Sequence, residues 1–222
     1  MPFFGALGDI HGAFDAARRI MERHPDVPFW LCVGDVADGA GHYEPMPAPL
    51  YWIKGNNENF DAIAAGELPE NLHYLPNGQL IEVDNLRIAG LGGTFAPTMY
   101  DVPAAELPHP TKASRKATEL SDRRRHFVRD EVESCTVMTH VDIFLSHEAP
   151  RPFRVHRGID AGKTSINQVL TGMKPRLHLF GHHHRFAELD VRGVRSVCLD
   201  LVGISYLLID QQTLEYRQLP VK

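Results

Sequence analysis

Five short apolar runs in this chain each end in a small residue followed by a side chain that can bind a metal ion. The five junctions read G-D-I-H-G at residues 8–12, G-D-V-A-D at 34–38, G-N-N-E at 55–58, S-H-E at 146–148 and G-H-H-H at 181–184. Short, fully apolar runs bounded by turn residues are typical of buried central strands. Open α/β sheets bind ligands at the carboxyl ends of their strands, so we expect the junctions to meet in one site.

The segments around these runs indicate how the strands are connected. Apolar residues at helical spacing predict a helix over Phe14–His24, ended by Pro25, and therefore a β-α-β start. Three later strand pairs are predicted, with turns at residues 84–85, 192–193 and 211–212. We therefore expect an α/β fold in which two mixed β-sheets pack as a sandwich flanked by helices.

Residues 96–133 differ in composition from the rest of the chain. A proline-broken stretch over residues 97–110 is followed by a charged segment that predicts a long helix over Thr111–Glu133. Its Arg123-Arg124-Arg125 run is typical of a solvated helix face, although contact with a nucleic acid backbone is the alternative. We expect a helical, basic insertion within a single domain that spans residues 1–222.

Composition excludes several classes of protein. A net charge of −5 gives no global basic field for nucleic acid, and the three distant cysteines form no disulfide framework. No apolar run approaches the ~20 residues that span a bilayer, so no membrane partner is expected. Asp9 comes too early for a signal peptide, which favours a cytoplasmic protein. The oligomeric state stays open.

The junctions together supply seven potential metal ligands. They are Asp9, His11, Asp35, Asn56, His147, His182 and His184. So many charged or titratable groups are costly to bury unless a cation compensates them. Seven donors exceed the need of one ion and suit two divalent metals. Nitrogen and oxygen donors without a thiolate favour Mn, Fe, Zn, Co or Ni over Ca²⁺ or Mg²⁺.

The order of the five blocks resembles the signature blocks of the calcineurin-like metallophosphoesterases, from residue 8 to residue 184. The resemblance implies that Asp9, His11 and His184 hold one metal, that Asn56, His147 and His182 hold a second, and that Asp35 bridges them. It further implies that a hydroxide between the two metals is the nucleophile. Mn is the favoured metal. Asn57 stands where many relatives have a histidine that contacts the phosphate and protonates the leaving oxygen.

A narrower resemblance is to RNA lariat debranching enzymes. It is carried by V-D-I-F-L-S-H-E-A-P-R at residues 141–151, R-H-F-V-R at 125–129 and G-L-G-G-T-F at 90–95. Those enzymes commonly have Cys where this chain has Asp9, and they carry a further C-terminal region beyond the point equivalent to Lys222. The resemblance therefore indicates kinship with phosphodiesterases rather than lariat cleavage itself.

Further residues near the blocks are candidates for catalysis or substrate binding. Asn57, His183 and Arg151 are expected to act in catalysis beside Asp35, and Arg154, His156 and Arg157 to bind substrate. The alternative for the loop after His147 is simple surface charge. His183 lies between two ligands, and because neighbours in extended chain face opposite sides, it is expected to point away from the metals.

Three functions fit these features to different degrees. The favoured one is a two-metal phosphodiesterase that acts on a nucleotide or nucleic acid. The first alternative is a phosphomonoesterase or a Ser/Thr protein phosphatase-like enzyme, which the opening G-D-I-H-G resembles. That branch, however, follows its Asp with Arg-Gly, which Asp38 lacks, and has a His after the metal-binding Asn. The second alternative is a non-catalytic scaffold on the same fold. Such a protein should have lost some of its metal ligands, whereas every ligand position here holds a competent side chain.

Overall fold

Two six-stranded β-sheets pack face to face in the computed structural model, which describes residues 2–111 and 121–221. In spatial order, the first sheet contains β14 (Tyr216–Pro220), β13 (Ser205–Asp210), β1 (Phe3–Leu7), β2 (Trp30–Cys32), β3 (Leu50–Trp52) and β4 (Leu72–Tyr74). The second contains β11 (Ala187–Val191), β12 (Val194–Cys198), β10 (Leu177–Phe180), β9 (Ile143–Ser146), β6 (Leu86–Leu91) and β5 (Leu80–Val83). A small third sheet pairs β7 (Thr94–Phe95) with β8 (His126–Phe127).

Both large sheets have a parallel centre and antiparallel edges. Strands β1 to β4 run parallel, as do β12, β10, β9 and β6, whereas β13, β14, β11 and β5 join as antiparallel neighbours. The predicted pair of mixed sheets is therefore confirmed. The parallel arrangement brings the carboxyl ends of β1, β2 and β3 to one edge and those of β9 and β10 to the corresponding edge of the other sheet.

Apolar side chains fill the space between the sheets and cover their outer faces. Phe4 and Leu31 of the first sheet belong to the same buried cluster as Ile143 and Leu179 of the second. The helices α1 (Phe14–Glu22), α2 (Phe60–Ala65), α3 (Arg129–Thr136) and α4 (Thr164–Met173) complete the fold. Helix α1 covers the outer face of the first sheet, and α3 and α4 cover that of the second. Within the described ranges, no helix is both long and apolar enough to cross a membrane.

The predicted hairpin turns have the backbone that their residues allow. Asp84 and Asn85 have φ angles of 47° and 64°, and Arg192 and Gly193 have angles of 59° and 77°. Two consecutive left-handed residues are characteristic of a type I′ turn, which matches the twist of an antiparallel pair. These turns connect β5 to β6 and β11 to β12, as predicted.

The long helix predicted over Thr111–Glu133 is wrong over residues 121–128 and correct only over its last part, Arg129–Glu133; residues 112–120 lie outside the described residues. Residues 123–125 form one 3-10 turn, and the side chain of Asp122 accepts a hydrogen bond from the amide of Arg124. The chain is then extended through β8, and a helix begins only at Arg129. The reason is tertiary, because Phe127 is fully buried in a strand that pairs with β7.

Candidate functional site

The predicted ligands converge where the two sheets present their strand ends. Asp9 and His11 follow β1, Asp35 follows β2 and Asn56 follows β3, whereas His147 follows β9, and His182 and His184 follow β10. Because these strands are parallel within their sheets, their carboxyl ends lie at one edge of the sandwich. Polar groups from both sheets thus meet there.

The first group of side chains is Asp9, His11 and His184, whose ligand atoms all lie within 4.8 Å of one another. The Nε2 atoms of His11 and His184 are 3.1 Å apart. His184 Nε2 is also 3.0 Å from Asp9 Oδ2. Asp9 is buried, whereas the His184 ring is exposed, so the group is open on one side. This arrangement could hold one cation.

The second group is Asp35, His147 and His182, again with ligand atoms within 4.8 Å of one another. Asn56 joins it, because its Oδ1 is 3.2 Å from His147 Nε2. His147 Nδ1 lies 2.8 Å from the carbonyl of Val33, to which it donates, so a neutral imidazole offers only a lone pair at Nε2. His147 Nε2 and Asn56 Oδ1 are then both acceptors, and at 3.2 Å their lone pairs repel each other unless a proton or a metal ion lies between them. The donor set therefore fits a divalent metal.

Asp35 lies between the two groups. Its Oδ2 is 3.5 Å from His11 Nε2 in the first group and 3.6 Å from His147 Nε2 in the second. Asn57 holds the same carboxylate, donating from its backbone amide to Oδ1 over 2.7 Å and from Nδ2 to Oδ2 over 2.9 Å. One carboxylate thus faces both candidate metal positions.

Four of the candidate ligands have left-handed backbone, which is rare for residues other than glycine. The φ angles are 47° at His11, 50° at Asp35, 69° at His182 and 50° at His184. Such conformations cost of the order of 1–3 kcal/mol each and cluster at functional sites. The surrounding fold therefore imposes these conformations.

Two glycines of the junctions let the carboxylates approach the backbone. A Cβ atom at Gly55 would lie 2.0 Å from Asp35 Oδ1, and one at Gly181 would lie 2.3 Å from Asp9 Oδ1. Neither separation is physically possible, so at these two junctions the small residue that ends the apolar run is required by the side chain of another junction.

The carboxylates near the second group favour a positive charge at His147 but not at His182. Burial lowers the pKa of His147, but Asp35 and Asp9 outweigh that effect and raise it overall. Burial would raise the pKa of Asp35, but His147 and the hydrogen bonds from Asn57 lower it overall. Burial lowers the pKa of His182 to about 4, so its ring is neutral near pH 7. Ionised carboxylates beside a neutral imidazole are the forms that bind a metal.

A cleft of about 800 Å³ opens beside this site. His11 and Asn57 form one end, and Arg124 and Asp122 from the 96–133 segment form another wall. Asp61 of α2 also lines it. Protein pockets of roughly 300–1,000 Å³ accommodate small-molecule ligands, so the cleft has room for a group larger than one phosphate.

The family profile of calcineurin-like phosphoesterases matches residues 4–186. The chain belongs to the calcineurin-like phosphoesterase family. Membership confirms the family predicted from the five blocks and supports phosphoester hydrolysis at a pair of metals.

Two relatives in sequence are lariat debranching enzymes. The enzyme of Schizosaccharomyces pombe is 25% identical over 199 residues, a match that covers 79% of this chain and 42% of that protein. The enzyme of Entamoeba histolytica is 20% identical over 264 residues, covering 97% of this chain and 72% of that protein. This chain thus spans less than half the length of the S. pombe relative.

Solved structures share the fold at low sequence identity. A Thermus thermophilus protein superposes with a TM-score of 0.62 at 15% identity, covering 100% of this chain and 99% of that one. A protein described as a novel archaeal phosphodiesterase gives a TM-score of 0.52 at 12% identity, covering 98% and 99% of the two chains. These similarities concern architecture alone.

The four predicted residues of the loop after His147 do not line the cleft of this calcineurin-like phosphoesterase. Arg151 donates from Nε to Asp160 Oδ2 over 2.9 Å and is exposed. Arg154, His156 and Arg157 are exposed on the same loop, and the described residues that line the cleft include none of the four. Their roles in binding substrate or in catalysis stay predictions.

His183 packs into that loop. Its ring centroid is 4.7 Å from that of Phe153, and burial lowers its pKa to about 4. It lies in neither of the two groups of candidate ligands. Its predicted catalytic role stays a prediction, with packing as the contact that the structure describes.

Glu58 is a residue of the site that the sequence did not single out. It is buried and accepts hydrogen bonds from the amides of Val36, Ala37 and Gly55 over 3.0, 3.2 and 3.1 Å. Burial raises its pKa to about 7. Glu58 thus ties the second and third junctions together, and the available signal was its place in the G-N-N-E block.

Lys54 and Asp38 also organise the surroundings of the site. Lys54 is buried and donates from Nζ to the carbonyls of Arg124 and His126 over 2.8 and 3.0 Å, so it fixes the cleft wall to the end of β3. Asp38 Oδ1 accepts hydrogen bonds from the amides of Ala40 and His42, both over 2.8 Å, and so shapes the loop at the cleft.

Proposed function

We propose that this protein is a two-metal phosphodiesterase that hydrolyses a nucleotide or nucleic acid phosphodiester. The observation that carries the proposal is the position of Asp35, whose Oδ2 is within 3.6 Å of a histidine nitrogen from each ligand group. A shared carboxylate suits two ions held close together. When bound, such a pair stabilises charge on the attacking and leaving oxygens of an in-line phosphoryl displacement.

The residues take separate parts in this proposal. Asp9, His11 and His184 would hold one ion, Asn56, His147 and His182 would hold the other, and Asp35 would serve both. Asn57 keeps the bridging carboxylate in place through its two hydrogen bonds. Nitrogen and oxygen donors without a thiolate suit Mn, Fe, Zn, Co or Ni, and among these manganese is the metal proposed. The proposed setting is a single domain in the cytoplasm.

Three observations support a diester over a monoester. The cleft beside His11 and Asn57 has room for the second ester arm of the substrate. Asn57 is an amide, which donates a hydrogen bond but supplies no proton to a poor leaving group near neutral pH. Two relatives are named lariat debranching enzymes, the group that the sequence resemblance places with the phosphodiesterases.

Metal content is the first experiment. Protein stripped with a chelator and reloaded with Mn²⁺ is expected to hold about two ions per chain by elemental analysis. Asp35→Asn keeps the shape of the side chain and tolerates the left-handed backbone, yet it should lower the content to about one ion or fewer. Asp130→Asn, at an exposed residue of α3, is the matched control and should retain both ions. A content that stays near one ion or below in the unmodified protein contradicts the two-metal site.

Substrate class is the second experiment. The Mn²⁺-loaded protein is assayed with bis-p-nitrophenyl phosphate and with p-nitrophenyl phosphate. Faster turnover of the diester is expected. Turnover of the monoester alone would favour the phosphatase alternative, and no turnover of either across several metals would favour the scaffold.

A further inference from the structure

A histidine is buried in the middle of the second sheet, outside the two groups of candidate ligands. His178 of β10 has no exposed surface. It is paired in register with Phe144 of β9 and with Ser196 of β12, so these side chains share one face of the sheet. Its ring is stacked near Phe144 and Phe180, with centroids 5.1 and 5.3 Å away. Burial of a polar ring among aromatic ones is unfavourable unless its nitrogens are hydrogen-bonded.

Both ring nitrogens of His178 have partners, and the partners fix the direction of each hydrogen bond. The hydroxyl of Ser146 donates its only proton to the carbonyl of Glu148 over 2.6 Å. Ser146 Oγ must then accept from His178 Nε2, which is 2.8 Å away. In a neutral ring, Nδ1 is therefore the acceptor, and Ser196 Oγ donates to it over 3.0 Å in preference to the carbonyl of Val194, which lies 3.3 Å from the same hydroxyl. Burial lowers the pKa of His178 to about 3, which keeps the ring neutral.

This chain of hydrogen bonds ends at the turn that carries a candidate ligand. The bond from Ser146 to the carbonyl of Glu148 spans His147, the residue between them. On its other side, His147 is held by the bond from its Nδ1 to the carbonyl of Val33. The imidazole is thus fixed through its own ring and through the turn in which it lies.

We propose that His178 is a positioning residue, which donates from Nε2 to Ser146 and thereby holds the turn that directs His147 Nε2 toward the second metal. The proposal rests on the proposed function in that His147 is taken as a ligand. A role in packing alone predicts that an apolar ring would replace His178 without effect on metal binding. A positioning role predicts the opposite.

Calorimetric titration of the metal-free protein with Mn²⁺ distinguishes the positioning role of His178 from a role in packing alone. His178→Phe continues the aromatic stack without a hydrogen bond, and it should weaken the binding of one of the two ions by about threefold to tenfold. Groups bonded directly to a ligand typically give about 10–100-fold, and His178 acts one step further away. His178→Gln restores a donor and an acceptor, and its affinity should return to within about twofold of the unmodified protein.

Phe144→Leu is the matched control, because it removes a ring stacked on His178 and leaves the hydrogen bonds. It should lower the melting temperature while leaving both affinities within about twofold. If His178→Phe does not fold, Ser146→Ala removes a hydroxyl from the same series of hydrogen bonds and should weaken the binding of the same ion.

Each outcome has one meaning. Unmodified protein that binds fewer than two ions contradicts the proposed function. Unmodified protein that binds two, with His178→Phe or Ser146→Ala unchanged in affinity, overturns the positioning role and leaves the proposed function intact. Equal weakening by His178→Phe and His178→Gln overturns it as well.

Discussion

Asn57 holds Asp35 by both carboxylate oxygens, donating from its backbone amide over 2.7 Å and from Nδ2 over 2.9 Å. The sequence indicated that Asn57 replaces the histidine that protonates the leaving oxygen in many relatives. The structure adds that its side chain supports the carboxylate between the two ligand groups. The two roles make different predictions for substitution.

Replacing the amide by an imidazole should alter substrate preference. We expect Asn57→His to raise monoesterase relative to diesterase activity, because the ring supplies a proton to a leaving group of high pKa. Asn57→Ala removes the hydrogen bond without adding an acid, so both activities should fall by a similar factor. The measurement is the ratio of the two turnover rates at equal metal content. A ratio that is unchanged in Asn57→His would show that residue 57 does not set the preference.

The close approach at Gly55 predicts a large effect from one methyl group. Gly55→Ala would place a Cβ atom 2.0 Å from Asp35 Oδ1, so the carboxylate must move. Displacement by about 1 Å of an aligned group can cost on the order of a hundredfold in rate. Gly203→Ala is the control, since no atom lies within 4 Å of the added Cβ. Diester turnover in the two variants, with melting temperatures alongside, checks this, and equal activities would contradict it.

Two arginines differ in their relation to the cleft, and that difference is testable. Arg124 lines the cleft between Asp122 and Asp61, whereas Arg151 pairs with Asp160 on the loop outside it. If the substrate occupies the cleft, Arg124→Gln should raise the KM for a short oligonucleotide by about fivefold or more, as loss of a charge-assisted hydrogen bond does.

Arg151→Gln should change that KM by less than about twofold, in keeping with an exposed ion pair. For bis-p-nitrophenyl phosphate, neither variant should differ much from the unmodified protein. A larger effect at Arg151 would restore the loop after His147 as the binding surface.

The buried ring of His178 predicts how stability varies with pH in the metal-free protein. Its pKa is about 3 in the folded state, against about 6.5 in an unfolded chain. Below pH 6.5 the unfolded state therefore binds a proton that the folded state does not, and the free energy of unfolding falls as the pH drops toward 3.

His178→Phe removes this contribution, which amounts to at most about 1.4 kcal/mol per pH unit. Denaturant unfolding between pH 4.5 and 6.5 should give a shallower decline for the variant than for the unmodified protein. His73→Phe, at an exposed histidine, is the control and should follow the unmodified protein. Parallel curves for His178→Phe would contradict the expectation.

The local sequence pattern was sufficient to predict where the strands end. It failed to predict the conformation of segments that is decided by contacts with distant residues. An apolar run closed by glycine predicts a buried strand, and parallel pairing then dictates that Asp9 and Asp35 meet. The charged segment near Arg124 was predicted as helix, yet burial of Phe127 against β7 requires an extended chain. Helix α4 was not predicted, and no side chain caps its start at Lys163.

The supporting residues of the site were hidden for the same reason. Nothing near Lys54 in the sequence indicates that its ammonium group binds carbonyls about seventy positions away. The partners of His178 lie on two other strands. Such contacts exist only once the strand order is known, so the convergence of the candidate ligands could be predicted from the sequence and their supports could not.

Each ligand group takes residues from both sheets: Asp9 and His11 from the first with His184 from the second, and Asp35 from the first with His147 and His182 from the second. Bound ions would therefore cross-link the two layers of the sandwich. A pulling force that slid one sheet past the other would have to break coordination bonds as well as displace apolar side chains. The mechanical strength of the sandwich would then depend on the metal concentration, whereas the edge strand β14 would peel away at a force independent of it.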